Sequence, residues 1–226
     1  MTWAVRPPPA DTIARVGQLI AVEGLDGAGK NTLVTALVDH WRRNGMRVWT
    51  VTFPRYGRSV TADLASEALH GRHGDLRDSV YAMALLFALD RADAVDEIRE
   101  ALAANDIVLL DRYVASNAAY SAARLGQDAG GEMVRWVTEL EYGRFGLPVP
   151  DRHVLLGVPA EVAMQRAAGR AARDATRPQD LYESDQDLQF RVDAVYRQLA
   201  QTNWMSQWMS TGDEEAAELA VRLSSE

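Results

Sequence analysis

Short apolar runs alternate along the chain with stretches of helical period. Leu19 to Val22 is the first run, too short for a helix and closed by glycine at Gly24, so it reads as a strand buried on both faces. From Lys30 to Arg43 the period becomes helical, with Leu33, Leu37 and Trp41 on one face and Asn44-Gly45 as the stop. Arg47 to Thr52 reads as a second strand, ended by Phe53-Pro54. A helical stretch over about Thr61 to His70 and a polar loop through Gly74-Asp75 follow. One long helix is expected from about Arg77 to Ala104, its apolar residues spread round it as at a subunit interface. Ile107 to Leu110 reads as the third strand, and a helix is expected over about Gly131 to Tyr142. Arg152 to Gly157 is the fourth strand, and a helix from Ala160 leads into an Arg-rich loop. A helix over about Leu181 to Ala200, a short strand near Trp208 and a helix over Asp213 to Leu223 finish the chain. No internal repeat is found. Residues 1–17, with Pro7-Pro8-Pro9 and no periodicity, read as a flexible leader before a single domain, 18–226. Alternating strands and helices predict an α/β fold, a parallel five-stranded sheet with helices on both faces, whose site lies at the carboxyl ends of the strands.

The segment after the first strand carries the clearest chemistry. Gly24, Gly29 and Lys30 match G-x-x-x-x-G-K, with a strand before and a helix after. Glycines let successive N–H groups turn inward round phosphate oxygens, and the helix start adds its positive dipole end. Lys30 adds a point charge for the outer phosphates. The position after Lys30 ordinarily holds Ser or Thr, whose hydroxyl touches Mg²⁺; here it is Asn31, with Thr32 next. An amide oxygen is a poorer copy of that ligand, so the metal falls to the nucleotide, water and carboxylates elsewhere. Phosphate cradling is a backbone task and survives the change.

Composition narrows the partners. The formal net charge of −8 argues against a nucleic-acid surface. An acidic protein that binds an anionic nucleotide must gather its positive charge locally. The absence of cysteine excludes disulfides, thiol catalysis and Cys-based zinc, and fits a cytoplasmic enzyme. No apolar run reaches membrane-spanning length. The four histidines show no metal-ligand spacing, and no serine–histidine–acid arrangement is found.

Three polar clusters fall at strand ends on the edge that carries the phosphate loop. They are Phe53-Pro54-Arg55-Tyr56, Asp111-Arg112-Tyr113 with Ser116, Asn117 and Tyr120, and the run Arg166, Arg170, Arg173, Arg177. Together with Asp26 inside the phosphate loop, these motifs make the chain from Gln18 onward resemble the thymidylate kinase family of the bacterial type. The resemblance implies the P-loop nucleoside monophosphate kinase fold with a short Arg-rich lid at about 166–178. It implies transfer of the γ-phosphate of ATP to dTMP, giving dTDP, with Mg²⁺ and in a homodimer.

Roles follow by matching position. The loop residues Gly24, Gly27, Gly29, Lys30, Asn31 and Thr32, with Arg166 and Arg177 of the lid, are implied to bind ATP. Asp26 is implied to lie near both acceptor phosphate and metal, and Glu183 to reach the metal through water. Arg55 and Arg112 are implied to clamp the acceptor phosphate, beside Phe53, Tyr56 and Ser116. Phe87 and Arg91 share a helix face; the resemblance implies stacking on thymine by the one and a bond to its exocyclic oxygen by the other. Asn117 is implied to read the base edge, Tyr120 to lie by the sugar and disfavour a 2′-hydroxyl, and Tyr182 to close over the acceptor. Lys30, Asp26, Arg112 and Arg170 are the implied catalytic set, Arg170 chosen for its place mid-loop beside Gly169. Plainer readings stand beside these. Asp26 can be a turn residue, Arg55 a solvated charge, Arg112 a buried partner of Asp111, and Phe87 with Arg91 a core ring and a surface charge. Tyr120 can be a surface tyrosine, Glu183 a helix-start glutamate, and Arg173 a local partner of Asp174. A deoxynucleoside kinase would want a carboxylate near the second strand, where Arg55 stands instead. A nucleotide-binding switch is the reading that Asn31 favours.

Overall fold

A computed structural model of the chain describes residues 17–173, 180–211 and 216–224. The expected leader lies outside these residues except for Gly17, whose N–H donates to Leu102 O at 2.8 Å. Five strands, β1 (Gln18–Glu23), β2 (Val48–Thr52), β3 (Ile107–Asp111), β4 (Arg152–Leu156) and β5 (Gln207–Thr211), form one sheet in the order β2-β3-β1-β4-β5. Every pairing is parallel, with Val22 of β1 level with Asp111 of β3. The carboxyl ends of β1, β3 and β2 are therefore neighbours, and the loops that leave them converge.

The described residues form ten α-helices: α1 (Lys30–Arg43), α2 (Val60–Leu69), α3 (Val80–Asp93), α4 (Val95–Ala104), α5 (Val114–Arg124), α6 (Glu132–Thr138), α7 (Ala160–Arg173), α8 (Leu181–Ser184), α9 (Gln186–Gln201) and α10 (Ala216–Ser224). Strand alternation sorts the core into two layers. Leu19, Ala21, Val108 and Leu110 join a cluster with Ala94 before α4, Ala118 of α5 and Val192 of α9. Ile20, Val22, Ile107 and Leu109 join another with Leu37 and Trp41 of α1 and Leu219 of α10. The uninterrupted apolar run of β1 is thus explained by burial on both faces.

The helix boundaries correct several expectations. The long helix of about 77–104 is in fact a 3-10 turn (Leu76–Asp78), then α3, then α4. Ser79 stops the first junction by accepting from Ala82 N, and Ala94, fully buried with ψ near 0°, bends the second. Neither proline nor glycine marks that bend. The helix expected over 181–200 is interrupted at Asp185, whose carboxylate accepts from Leu188 N and caps α9. The Arg-rich segment is helical through Arg173, so Arg166 and Arg170 belong to α7 and not to a loop. The segment after β3 forms α5, a helix of mostly alanine and serine with nine buried residues. No helix among the described residues is long and apolar enough to cross a membrane.

At the other end of the sheet His153 of β4 is fully buried, stacked on Trp208 with ring centroids 4.5 Å apart. Its Nδ1 pairs with Ser206 Oγ at 2.9 Å, and its Nε2 finds no partner among the described residues. Burial pushes its pKa down to about 3. Between that value and the ordinary His range near 6.5 the unfolded chain binds a proton that the folded chain refuses. The stability contributed by neutral His153 is therefore whole above pH 6.5 and is lost as pH falls. Urea midpoints measured from pH 7 to pH 4 are expected to fall less steeply in His153→Gln than in the unaltered chain; parallel slopes would refute this.

Candidate active site

The phosphate loop leaves β1 with backbone that only glycine takes without strain. Gly24, Gly27 and Gly29 have φ of 143°, 81° and 102°. At Gly27 space is as restrictive as conformation, since a Cβ would stand 2.1 Å from Ala163 O and 2.9 Å from Ala167 N. The backbone of α7 is thus packed straight onto the loop. Gly29 precedes α1, whose first turn carries no acidic side chain. Its N–H groups and dipole face the loop, an arrangement made for an anion. Lys30 spans the loop, its Nζ donating to Gly24 O at 3.1 Å and Leu25 O at 2.8 Å. Burial and the Arg112 charge bring its pKa down to about 8, against the pull of Asp26, Asp111 and Glu23. Asn31 and Thr32 are exposed at the start of α1.

Beside this loop stands the end of β3. Arg112 has φ of 67°, a conformation rare for a side chain of its size. Its Nη2 donates to Asp26 Oδ1 at 2.5 Å and its Nη1 to Ser116 Oγ at 3.2 Å. Asp26 Oδ2 accepts from Tyr120 OH at 2.9 Å, and the Arg112 guanidinium lies 5.5 Å from the centre of the Tyr120 ring. Burial raises the Asp26 pKa, but Arg112 and Lys30 outweigh it and hold the carboxyl well below the usual range. Arg112 is therefore paired with Asp26 and not with Asp111. Asp111 is 7% exposed, and its Oδ1 finds no partner among the described residues. Burial raises its pKa, with Lys30 and Arg112 opposing.

Arg55 is buried against α3 and is not a solvated charge. Its Nε and its backbone N–H both donate to the Asp90 carboxylate, at 2.8 and 2.9 Å, and its Nη2 reaches Asp93 at 2.7 Å. Phe53 is 1% exposed and packs in the core against Tyr113, with the Arg55 guanidinium 5.9 Å from the centre of its ring. Tyr56 is half exposed; burial of its hydroxyl, with Asp180 and Asp26 nearby, raises its pKa.

Arg91 is not a surface charge either. Its Nη2 and Nε grip the two oxygens of the fully buried Glu141, the former at 2.8 Å. Asn117 donates to Glu141 at 2.8 Å and to Ala84 O at 3.0 Å, while its Oδ1 accepts from Ser121. One carboxylate from a π-helical turn (Glu139–Arg144) thus joins Arg91 and Asn117, and both Asn117 N–H groups are engaged. Phe87 is half-buried against Ala65, Ala68 and Met83.

On α7, Arg170 Nη2 reaches both Glu183 oxygens, at 3.0 and 3.1 Å. Burial and the charges of Asp26 and Asp180 push Glu183 up to about 7, with Arg170 opposing. Arg166 is exposed on α7; Arg177 lies outside the described residues. Tyr182 lies nearly parallel to Tyr120, centroids 6.3 Å apart, and its hydroxyl accepts from Arg124, which also bonds Arg77 O. Asp180 caps this short helix, accepting from Tyr182 N and Glu183 N at 2.8 Å each. Sequence reasoning passed over Glu23, Asp90, Arg124, Glu141 and Tyr196. Only Glu23 carried a signal, a carboxylate closing an otherwise apolar strand.

The thymidylate kinase family model matches residues 22–218. A thymidylate kinase of Mycobacterium tuberculosis is 56% identical over 207 residues, which is 91% of this chain and 97% of that protein. A probable thymidylate kinase of Thermococcus gammatolerans is 32% identical, over 82% of this chain and 84% of its own length. A thymidylate kinase of Akkermansia muciniphila is 38% identical, over 71% of this chain and 72% of its own.

The approach of α7 to the loop yields a direct test. Gly27→Ala must move the Ala163 carbonyl or distort the loop, so ATP affinity is expected to fall at least about tenfold and the melting temperature by several degrees. Unchanged ATP binding by calorimetry would mean that the loop does not need this contact.

Proposed function

The chain belongs to the thymidylate kinase family, and on that premise we propose that its site carries the γ-phosphate of ATP to dTMP, giving dTDP. The observation that carries the reading is the meeting of Asp26, Arg112 and Tyr120 beside Lys30, two cations and an acid between the phosphate loop and the acceptor side. The nucleophile is a phosphate oxygen, ionised near neutral pH, so the reaction needs no strong general base. What it needs is alignment and stabilisation of charge.

The chain's residues supply both. The amides of Gly24 to Lys30 cradle the donor phosphates, and Lys30 exchanges its loop carbonyls for phosphate oxygens. Among the described residues Arg112 commits one N–H of each terminal nitrogen, to Ser116 and Asp26, which leaves one on each for the acceptor phosphate. Arg55 has its Nε and Nη2 taken by Asp90 and Asp93, and its Nη1, 3.6 Å from Glu97, carries the N–H groups left to turn to the same phosphate. Arg170, whose buried Nε has no partner among the described residues, moves from Glu183 to the transferring group as the lid closes. Arg166 and Arg177 act with it. Asn117, Arg91, Phe87 and Tyr120 form the wall toward base and sugar, and Tyr182 closes over them.

The site suits Mg²⁺ delivered with ATP. The orphaned Asp111 Oδ1 stands beside Lys30 and Asp26, and among the described residues no group of three or more metal-binding side chains competes for a dedicated ion. Magnesium of this kind takes one or two carboxylates and keeps its waters. Asp111 and Asp26 would hold it, with Glu183 through water, so Asn31 need not be a ligand. When bound it offsets charge on the β- and γ-phosphates. A homodimer in the cytoplasm goes with the reading. Tyr81, Leu85 and Leu89 recur every fourth residue along α3 and are 41%, 40% and 36% exposed, an apolar stripe suited to a second copy.

ADP release from Mg-ATP is expected with dTMP, more weakly with dUMP, and not with thymidine, CMP or AMP. Turnover on thymidine would move the reading to a nucleoside kinase; ATP binding without any turnover would move it to a switch. Placing glutamate at both Leu85 and Leu89 is expected to halve the mass seen by ultracentrifugation, and an unchanged mass would remove α3 from the interface.

A further inference from the structure

We infer that Glu23, the last residue of β1, is a positioning residue that holds Arg112 in its phosphate-clamping geometry through Ser116 and Tyr113. The inference rests on the dTMP kinase reading given above.

Glu23 is fully buried. Its Oε1 accepts from Tyr113 N at 2.9 Å. Its Oε2 accepts from Ser116 Oγ at 2.6 Å and from Tyr196 OH at 3.1 Å. Tyr113 directly follows Arg112, whose own N–H donates to Val22 O at 2.9 Å. Both peptide groups flanking the left-handed Arg112 are therefore anchored to consecutive residues of β1, one by a carbonyl and one by a side chain. A φ of 67° in an arginine persists only where its surroundings impose it. The carboxylate of Glu23 supplies half of that imposition.

The other half of the argument is the polarity of Ser116. A hydroxyl has one proton and two lone pairs. With its proton given to Glu23, Ser116 turns a lone pair to Arg112 Nη1 at 3.2 Å, while the single Tyr196 hydroxyl proton serves either Glu23 or Ser116, 2.7 Å away. The guanidinium is then fixed from two sides, by Ser116 on Nη1 and Asp26 on Nη2. Glutamine at position 23 has nearly the same shape but presents an N–H₂ group in place of one oxygen. Facing Ser116, that group takes one of its lone pairs, turns the hydroxyl proton to Tyr196 OH and removes the negative charge that acts on Arg112. Facing Tyr113, it opposes the backbone N–H that holds the turn. Either orientation loosens Arg112.

The test compares Glu23→Gln, Ser116→Ala and the double variant in the full chain. For Glu23→Gln, kcat/KM for dTMP is expected to fall about 10- to 100-fold, while the ATP dissociation constant, measured without acceptor, stays within about twofold. Ser116→Ala is expected to lose about tenfold in the same quantity, and the double variant no more than the larger single loss, because the two act through one chain of bonds. Retention of kcat/KM within twofold in Glu23→Gln, or loss of ATP binding in step with it, overturns the inference. If Glu23→Gln does not fold, Ser116→Ala is judged by the same two criteria. If the unaltered chain fails to phosphorylate dTMP, the reading of function has failed and a crystal structure of Glu23→Gln decides the rest. Arg112 leaving its left-handed conformation would support the positioning role, and Arg112 keeping both that conformation and its Asp26 pair would overturn it.

Discussion

Asp26 and Arg112 meet at 2.5 Å where the carboxyl ends of β1 and β3 lie side by side, and the site is built outward from that pair. Charges drawn largely out of water must be matched, and the side chains of this pair are 12% and 28% exposed. The pair therefore fixes the phosphate loop, which carries Asp26, against the strand end, which carries Arg112. Tyr120 joins from α5 through Asp26, and Lys30 shares its field. On the proposed reading donor and acceptor subsites meet at this contact, so a shift in it disturbs both halves of the reaction at once.

An acidic chain handles anionic substrates by rationing its cations to a few positions and giving each a carboxylate. Arg112 has Asp26, Arg55 has Asp90 and Asp93, Arg91 has Glu141, and Arg170 has Glu183. The partners differ in burial, and so in what they permit. Asp90 and Glu141 are fully buried and hold their arginines in place. Glu183 is pushed up to about 7 by burial and the other acids, within reach of ordinary pH. Arg170 has the most exposed side chain of these four arginines, which suits a group that moves better than a fixed clamp.

The features that were legible in the sequence are those set by neighbours in the chain. Glycines at 24, 27 and 29 before Lys30 dictate a loop and a helix start because left-handed backbone and a free first turn are local properties. The apolar run of β1 announced burial on both faces. Asp180, just before the expected helix, and Asp185, within it, are residues whose local hydrogen bonding favours caps. The bend at Ala94 was not visible, because alanine favours helix and only the packing of that residue at zero exposure stops it. Helix α5 was hidden by its small residues, whose helical preference was masked by the polar motif they carry.

Which residues face one another was decided by the sheet register and the helices laid on it. Arg112 finds Asp26 across 86 positions and Ser116 finds Glu23 across 93, because β1 and β3 run side by side with Val22 level with Asp111. Glu141 reaches Arg91 and Asn117 from a turn with no motif of its own. A sequence states each residue's charge, size and local preference, and these determined the family, the phosphate loop and the strands. It does not state distances, and the energy of a buried ion pair depends on distance and on the exclusion of water. Only the folded chain decides both, and it thereby decided that Arg91 and Asn117 share a carboxylate and that Arg112 pairs with Asp26 rather than with its neighbour Asp111.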